Sequence, residues 1–180
     1  VENSIDAGAA EILVEIRRGG AALLRVIDDG CGMSRDDALL SSERHATSKL
    51  ADSSGLAAIR TLGFRGEAVP SIASVSRFRL ITREASAVAG TEIAVDGGVV
   101  RDVREAGCAP GTTVEVKDLF FNVPARRKFL RAEATEAAHV EHQLRLHALA
   151  AAGVRFRFRK DEREVFDLPG GMSRRDRVRW

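Results

Sequence analysis

Two short stretches in which apolar and polar residues alternate, joined by a pair of glycines, restrict what this chain can fold into more than any other feature. The stretches cover residues 11–17 and 24–28, with Gly19 and Gly20 between them. A two-residue period is that of a β-strand with one buried face, and a glycine pair between two such strands is typical of a tight turn. The sequence therefore predicts a hairpin, within a sheet that is at least partly antiparallel.

Strand and helix signals continue along the chain. Its 180 residues are 44% hydrophobic and 30% charged, which is enough apolar material for one core and excludes a disordered or fibrous chain. Further strands are predicted at residues 77–83, 91–95, 99–103, 112–117, 154–159 and 163–168. Helices are predicted over residues 1–7, from Ser34, over 67–75, over 124–130 and over 133–151, the last with an apolar stripe of Ala137, Val140, Leu144, Ala148 and Ala151. Together these elements predict an α/β two-layer sandwich, with a mixed, largely antiparallel sheet and helices on one face.

Two segments lack a clear pattern. Residues 42–66 are polar and contain glycines, which is typical of a mobile lid between ordered elements. The arginine-rich tail from Gly170 is predicted to be frayed.

Several classes of protein are disfavoured. The 28 Lys and Arg against 26 Asp and Glu leave a net charge of +2, so charge alone does not indicate a nucleic-acid binder. No apolar run approaches the ~20 residues of a membrane helix, and no signal peptide is recognisable.

Two cysteines cannot make a disulfide framework or a four-thiolate zinc site, which favours free thiols in a reducing cytosol. The P-loop, the G-x-G-x-x-G turn and the G-x-S-x-G elbow are missing. His139, His142 and His147 have no further ligand placed to complete a metal site, so a solvated helix face is favoured.

A carboxylate on the core face of the second strand is the first indication of chemistry. Asp28 falls on the same side as Leu24 and Val26, and a buried carboxylate must find donors. One interpretation is a cap for the following turn, which aspartate often supplies. The other is an acceptor for the amino group of a base between sheet and helices, with Gly30 and Gly32 allowing a flat ring to approach the backbone.

Four further features fit a phosphate-bearing ligand, although each also has a plain structural interpretation. Residues 63–67 open onto a helix, where successive N–H groups form either an anion nest or an ordinary capped loop. Residues 47–49 offer phosphate contacts or solvated surface. Asn3 offers an oxygen to Mg²⁺ or is simply exposed, and Thr112 is a core-facing hydroxyl or a β-branched filler. Together they favour a nucleotide site built without a P-loop.

Six motifs then occur in order: E-N-S-I-D-A-G at 2–8, D-D-G-C-G-M at 28–33, R-H-A-T-S-K at 44–49, G-F-R-G-E-A at 63–68, G-T-T-V-E-V at 111–116 and P-A-R-R-K-F-L at 124–130. With them the chain resembles, over essentially its whole length, the N-terminal ATPase domain of the MutL family of DNA mismatch repair proteins. The asparagine, D-x-G-x-G and G-T motifs are shared with DNA gyrase, a heat-shock chaperone and sensor histidine kinases, all with a Bergerat-type ATP-binding fold. The third, fourth and sixth motifs point to the MutL family itself.

The resemblance implies ATP and Mg²⁺ as ligands. It implies that Asn3 ligates the Mg²⁺ bridging the phosphates, that Asp28 accepts from the adenine amino group and that Thr112 supports Asp28 through water. The remaining implied residues line the base, belong to the lid or cradle the phosphates. The full set of implied cofactor-binding residues is Asn3, Asp28, Gly30, Gly32, Met33, Thr47, Ser48, Lys49, Gly63, Phe64, Arg65, Gly66, Glu67, Ala68 and Thr112.

The sequence also departs from the family pattern. Asp29 stands where most relatives carry asparagine, and we expect it to face away from the pocket, opposite Asp28. Val69-Pro70 replaces a more usual Leu-Ala or Leu-Ser. The family's general base, a glutamate four residues before the Mg²⁺ asparagine, would lie upstream of Val1, and Glu2 is expected to point elsewhere. We therefore expect residues 1–180 to be a single ATPase domain truncated at both ends, without the N-terminal arm, first helix and second domain, and with no catalytic residue of its own.

For the full-length protein the resemblance implies a cytoplasmic, nucleoid-associated bacterial ATPase. ATP would order the lid, drive homodimerisation and gate contact with a mismatch-recognition protein, an endonuclease, a helicase and DNA, the last weak and non-specific, with no role for a membrane. The chain alone is expected to be monomeric, to bind nucleotide weakly and to hydrolyse little.

Two alternative functions remain. One is the ATPase domain of a topoisomerase or histidine kinase, disfavoured by P-A-R-R-K-F-L. The other is a non-catalytic DNA-binding module using Arg126, Arg127, Lys128, Arg131 and the basic tail.

Overall fold

The computed structural model describes residues 1–42 and 68–179, which form one sheet with helices packed on it. The strands are β1 (Glu11–Arg17), β2 (Leu23–Asp28), β3 (Arg77–Arg83), β4 (Gly90–Asp96), β5 (Val99–Ala106), β6 (Gly111–Lys117), β7 (Arg155–Lys160) and β8 (Arg163–Leu168). The helices are α1 (Glu2–Asp6), α2 (Arg35–Ser42), α3 (Ala68–Ala73), α4 (Pro124–Arg127), α5 (Glu133–Ala150) and α6 (Arg174–Val178), with a 3₁₀ turn at Arg18–Gly20. None of these helices is long and apolar enough to cross a membrane.

The sheet has the order β5-β4-β3-β6-β2-β1-β7-β8. The predicted hairpin of β1 and β2 is confirmed, with Val14 opposite Val26. Only β1 and β7 pair in parallel, and every other neighbouring pair in this sheet is antiparallel. The predicted mixed, largely antiparallel sheet is therefore confirmed.

The helices cover one face of the sheet, called the inner face below. On β1 the alternation buries Ile12, Val14 and Ile16, each at most 3% exposed. The stripe predicted on α5 packs on these residues, with Ala137, Leu144 and Ala148 fully buried and Val140 and Ala151 partly buried. A second apolar cluster joins α2 and α3 to β3, β4 and β6. Burial of this face is the main stabilising contribution to the fold.

The other face of the sheet carries a cross-strand row of alternating charge. Arg159, Glu15, Arg25, Glu115 and Arg79 lie opposite one another on β7, β1, β2, β6 and β3. Arg25 contacts Glu15 at 2.8 Å and Glu115 at 2.6 Å. Opposite charges in directly facing positions stabilise strand pairing and fix its register.

Glu115 is the most buried member of this row, and its replacement by glutamine is expected to lower the free energy of unfolding by about 1–3 kcal/mol at pH 7. Its side chain is 5% exposed and also contacts Lys117 at 2.6 Å. Burial would raise the pKa of Glu115, but the hydrogen bonds from Lys117 and Arg25 outweigh it, so the pKa lies below its ordinary value of 4.5. A carboxylate with a depressed folded-state pKa stabilises the fold above its unfolded pKa and loses that effect as the pH falls through the folded value.

The difference in unfolding free energy between wild type and Glu115→Gln should therefore be full near pH 7 and shrink below about pH 4. Denaturant melts across this range measure it. As a control, Glu105→Gln on the edge strand β5 removes an exposed glutamate for which the described residues provide no ion pair, and it should change stability by no more than about 0.5 kcal/mol. A pH-independent difference for Glu115→Gln would contradict the charge-based explanation.

The tail is ordered, so the prediction that it frays is wrong. Ser173 begins α6, and its hydroxyl oxygen accepts from the amide of Asp176 at 3.2 Å. Arg177 is only 4% exposed. Its guanidinium donates to three backbone carbonyls, those of Ala148, Val154 and Pro169. These bonds tie α6 to the end of α5 and to the β7–β8 unit.

Several element boundaries also differ from prediction, most clearly those of α4 and β5. The helix expected over 124–130 ends at Arg127, because the amides of Phe129 and Leu130 bond only three residues back, to the carbonyls of Arg126 and Arg127. Strand β5 runs to Ala106 rather than 103, since its pairing with β4 continues to Gly90. The proposed lid over 42–66 lies almost wholly outside the described residues.

Candidate functional site

Three neighbouring strands place a polar residue at the same end of the inner face. Asp28 on β2 faces Thr112 on β6, and Thr112 faces Thr82 on β3. We call Asp28, Thr112 and Thr82 the polar row. Residues directly opposite on one face of a sheet lie about 5 Å apart at Cβ, so the three side chains form one group.

The sequence contains the pattern that produces this row. Each strand carries two inward apolar residues next to its polar one. Leu24 and Val26 precede Asp28 on β2, and Phe78 and Leu80 precede Thr82 on β3. On β6, which runs in the opposite direction, Val114 and Val116 follow Thr112. The inner face is therefore apolar along most of its length and polar at one end. Such a transition is where a ligand with an apolar ring and polar edges fits best.

Asp28 caps the turn after β2 through one carboxylate oxygen and can accept a further hydrogen bond through the other. Its Oδ1 accepts a hydrogen bond from the amide of Gly30 at 3.0 Å, which caps the turn after β2. Asp28 is half-buried, and within residues 1–42 and 68–179 no hydrogen bond is made to its Oδ2. The two interpretations from the sequence are thus compatible, because each uses a different oxygen.

The turn after Asp28 is fixed by close backbone packing. A Cβ on Gly30 would lie 2.8 Å from the Cβ of Ala7, and the amide of Cys31 donates to the Ala7 carbonyl at 3.0 Å. Gly32 has φ +71°, and a Cβ there would lie 2.1 Å from the carbonyl oxygen of Arg83. Both glycines are required by close packing of the protein's own atoms, and a contact of either with a base stays a prediction.

Thr82 was not singled out from the sequence, yet it is the most connected member of the row. It is fully buried. Its Oγ1 accepts from the amide of Met33 at 2.9 Å and lies 3.1 Å from the Gly111 carbonyl and 3.0 Å from the Thr112 hydroxyl. The signal that could have found it is its place as the third inward residue of β3, after Phe78 and Leu80.

Asn3 lies on α1 next to this end of the sheet and is exposed. Helix α1 is joined to the turn after Asp28 by the bond between Cys31 and Ala7. The preceding residue, Glu2, lies toward α5, with Oε1 3.5 Å from Nε2 of His147. The adjacent residues Glu2 and Asn3 thus lie in different surroundings, and Glu2 points toward α5 rather than toward the site, as expected.

Asp29 faces away from the polar row, as expected. Its Oδ1 accepts from the amides of Ala10 and Glu11, both at 2.8 Å. The side chain therefore holds the first residues of β1 against the end of β2, and its role is structural.

Part of the predicted site lies outside the described residues. This holds for Thr47, Ser48, Lys49 and for Gly63, Phe64, Arg65, Gly66 and Glu67. Ala68 begins α3 in the described part and is exposed. Within the described ranges no three His, Cys, Asp or Glu side chains cluster as metal ligands.

Comparison with known proteins assigns the fold. No protein-family model matches the chain. The chain is 58% identical over 178 residues to the DNA mismatch repair protein MutL of Akkermansia muciniphila, a match covering 99% of this chain and 28% of that protein. It is 56% identical to the protein of the same name from Syntrophobacter fumaroxidans, again over 99% of this chain. Among solved structures, the Aquifex aeolicus MutL ATPase domain complexed with ADP matches with a TM-score of 0.79 and 36% identity, covering 98% of this chain and 62% of that one.

The sheet topology and these matches define an α/β sandwich of the class found in the ATPase domains of DNA mismatch repair proteins. The chain spans little more than a quarter of the length of the curated relatives it matches, 28% for the first of them. The chain belongs to the MutL family.

Proposed function

We propose that this chain is the ATP-binding part of a DNA mismatch repair protein, forming one ATPase domain. The observation that carries the proposal is the polar row, where three central strands carry hydrogen-bonding side chains at one end of an apolar inner face. The solved relative in complex with ADP supports a nucleotide as the ligand. An adenine ring between sheet and helices would meet apolar side chains on its face and the polar row at its edge.

In this proposal Asp28 recognises the adenine base through a hydrogen bond. Its Oδ1 is engaged by the Gly30 amide, whereas Oδ2 has capacity to accept from the exocyclic amino group of adenine. A hydrogen bond to a carboxylate contributes about 1.5–3 kcal/mol, more than one between neutral groups. Gly30, Gly32 and Met33, which follow in the same turn, would lie beside the base.

The phosphates in this proposal are bound by segments 47–49 and 63–68 and by Mg²⁺. Asn3 fits the cation, since its amide oxygen is a hard ligand on an exposed face of α1, and Mg²⁺ usually takes few protein ligands and keeps phosphate oxygens and water. When bound, Mg²⁺ neutralises phosphate charge. The amides and cations of the two segments would orient the triphosphate against it.

We also propose that the full-length protein hydrolyses ATP and that this chain alone hydrolyses little. Glu2 lies against His147 of α5, which supports a different carboxylate as general base. Loss of a general base typically lowers a rate by about 10²–10⁴. In the whole protein, a cytoplasmic homodimer, nucleotide binding would control contact with a mismatch-recognition protein, an endonuclease, a helicase and DNA.

A basic surface around α4 favours DNA binding as a second function. It consists of exposed Arg126, Arg127, Lys128 and Arg131, with Phe129 85% exposed among them. The loop before it is joined to the turn after α3 by a backbone hydrogen bond, in which the amide of Phe120 donates to the Val75 carbonyl at 2.7 Å. Several adjacent cations can contact DNA phosphates without recognising the base sequence.

Titration of the chain with the Mg²⁺ complex of a non-hydrolysable ATP analogue tests the proposal, and we expect saturable binding. Retention of duplex DNA is measured in parallel over a salt series, with and without the analogue. DNA binding that responds to nucleotide is compatible with both functions. Absence of nucleotide binding by the folded chain, together with salt-sensitive DNA binding, contradicts the proposal and favours a DNA-binding module.

A further inference from the structure

Thr82 holds a hydroxyl network in which the direction of each hydrogen can be worked out. Its Oγ1 has three neighbours, the Met33 amide, the Gly111 carbonyl and the Thr112 hydroxyl, at 2.9, 3.1 and 3.0 Å. A hydroxyl has one hydrogen to donate and two lone pairs that accept. Because Thr82 is 0% exposed, water does not compete for these positions.

Two of the three directions are fixed by chemistry. The Met33 amide can only donate, so it occupies one lone pair of Thr82. The Gly111 carbonyl can only accept, so the hydrogen of Thr82 points to it. Thr82 is left with one lone pair, which faces the Thr112 hydroxyl. The Thr112 hydroxyl must therefore donate its hydrogen to Thr82.

The reverse arrangement is worse. If Thr82 donated to Thr112, its oxygen would face the Gly111 carbonyl at 3.1 Å with no hydrogen between them. If Thr112 donated elsewhere, two hydroxyl lone pairs would face each other at 3.0 Å in a partly buried position. An unsatisfied buried polar contact of this kind is costly.

We propose that Thr82 is a positioning residue that turns Thr112 into a hydrogen-bond acceptor and thereby makes the site select adenine over guanine. With its hydrogen committed to Thr82, Thr112 presents only lone pairs beside the carboxylate of Asp28, which it faces across the strands. Two adjacent acceptors suit the amino group of adenine, directly or through a water. They repel the carbonyl oxygen that guanine carries at the same ring position.

This inference rests on the proposed function, and its test is the ratio of two affinities. Mg²⁺ complexes of non-hydrolysable ATP and GTP analogues are titrated against wild type, Thr82→Val and Thr82→Ser, and folding is checked by thermal melts. We expect wild type to prefer the ATP analogue by at least about tenfold, the effect of one lost or opposed hydrogen bond. Thr82→Val frees the Thr112 hydroxyl to rotate and donate, so the preference should fall about tenfold, and Thr82→Ser should restore it.

Thr91→Val is the matched control. Thr91 is the next inward residue on β4, opposite Thr82, and lies three strands from Asp28, outside the proposed site. It receives the same substitution in a similarly buried place, 8% exposed, and its folding is checked by the same thermal melt. The preference for the ATP analogue should be unchanged, even if both affinities fall slightly.

The outcomes separate the two proposals. Failure of the folded wild type to bind either analogue overturns the proposed function and this inference with it. Binding with equal affinity for both analogues, or an unchanged preference in folded Thr82→Val, overturns the inference alone. If Thr82→Val does not fold, Thr112→Val decides, because it removes the acceptor itself: a reduced preference supports the inference and an unchanged one overturns it.

Discussion

Replacing Asp28 by asparagine is expected to weaken binding of a non-hydrolysable ATP analogue by about 10- to 100-fold, the loss of one hydrogen bond to a charged acceptor. Asparagine can still accept from the Gly30 amide through its oxygen, as Oδ1 does at 3.0 Å, so the turn is kept. Its nitrogen then takes the place of Oδ2 and presents donors. Two donors would face each other where the adenine amino group is proposed to lie. Calorimetric or fluorescence titration with the Mg²⁺ complex of the analogue measures the change.

Asp29→Asn provides a matched control one residue away. Asp29 accepts from the Ala10 and Glu11 amides through Oδ1 alone, at 2.8 Å each, and an asparagine oxygen can make the same bonds. The two variants remove the same charge from adjacent positions on opposite sides of the strand. We expect the affinity for the analogue to change less than about twofold in Asp29→Asn, since the side chain points away from the polar row.

Two results would remove Asp28 from the proposed site. One is equal affinity of wild type and Asp28→Asn. The other is an equal loss in Asp28→Asn and Asp29→Asn, which would assign the effect to net charge near the cleft rather than to a hydrogen bond.

The hairpin and the helix stripe could be predicted because both depend on local periodicity. Ile12, Val14 and Ile16 recur at every second position, with Glu11, Glu15 and Arg17 on the other face, and only a strand buries all three on one side. Asp29 could be assigned to the opposite face by the same period of two. The same period placed Asp28 and Thr112 on the inner face, and the MutL-type motifs implied the ligand that periodicity alone left open.

Contacts between distant segments were beyond such reasoning. Thr82 lies 49 residues from Met33 and 30 from Thr112, and its role follows from the order of β3, β6 and β2 in the sheet. The prediction that the tail frays rests on its arginine-rich composition alone, whereas in the structure Arg177 donates to three carbonyls at the end of α5 and in the adjacent loops. A sequence shows which groups need partners and seldom shows where the partners lie.

The glycines of the D-D-G-C-G-M motif show a subtler difference. The absence of their side chains predicts room for a base, whereas the structure places the Cβ and carbonyl of Ala7 beside Gly30 and the carbonyl of Arg83 beside Gly32. Both effects require glycine, and the sequence cannot separate them. Measuring the free energy of unfolding and the affinity for the ATP analogue on the same glycine variant separates the two effects.

Gly32→Ala is accordingly expected to lower the free energy of unfolding by about 3–4 kcal/mol. About 1 kcal/mol comes from the left-handed backbone at φ +71°, which disfavours a Cβ. The rest arises because that Cβ would lie 2.1 Å from the carbonyl oxygen of Arg83, and backbone rather than a flexible side chain would have to move. Denaturant unfolding followed by circular dichroism measures the change.

Gly8→Ala separates the two contributions. Gly8 has the same φ of +71°, and a Cβ there would meet nothing within 4 Å. This variant should therefore show only the backbone cost of about 1 kcal/mol. If Gly32→Ala were no less stable than Gly8→Ala and instead lost affinity for the ATP analogue, Gly32 would be reserved for the base and the packing against Arg83 would not explain it. Because the overlap with the Arg83 carbonyl exists without any ligand, we expect the loss of stability to appear in the chain alone.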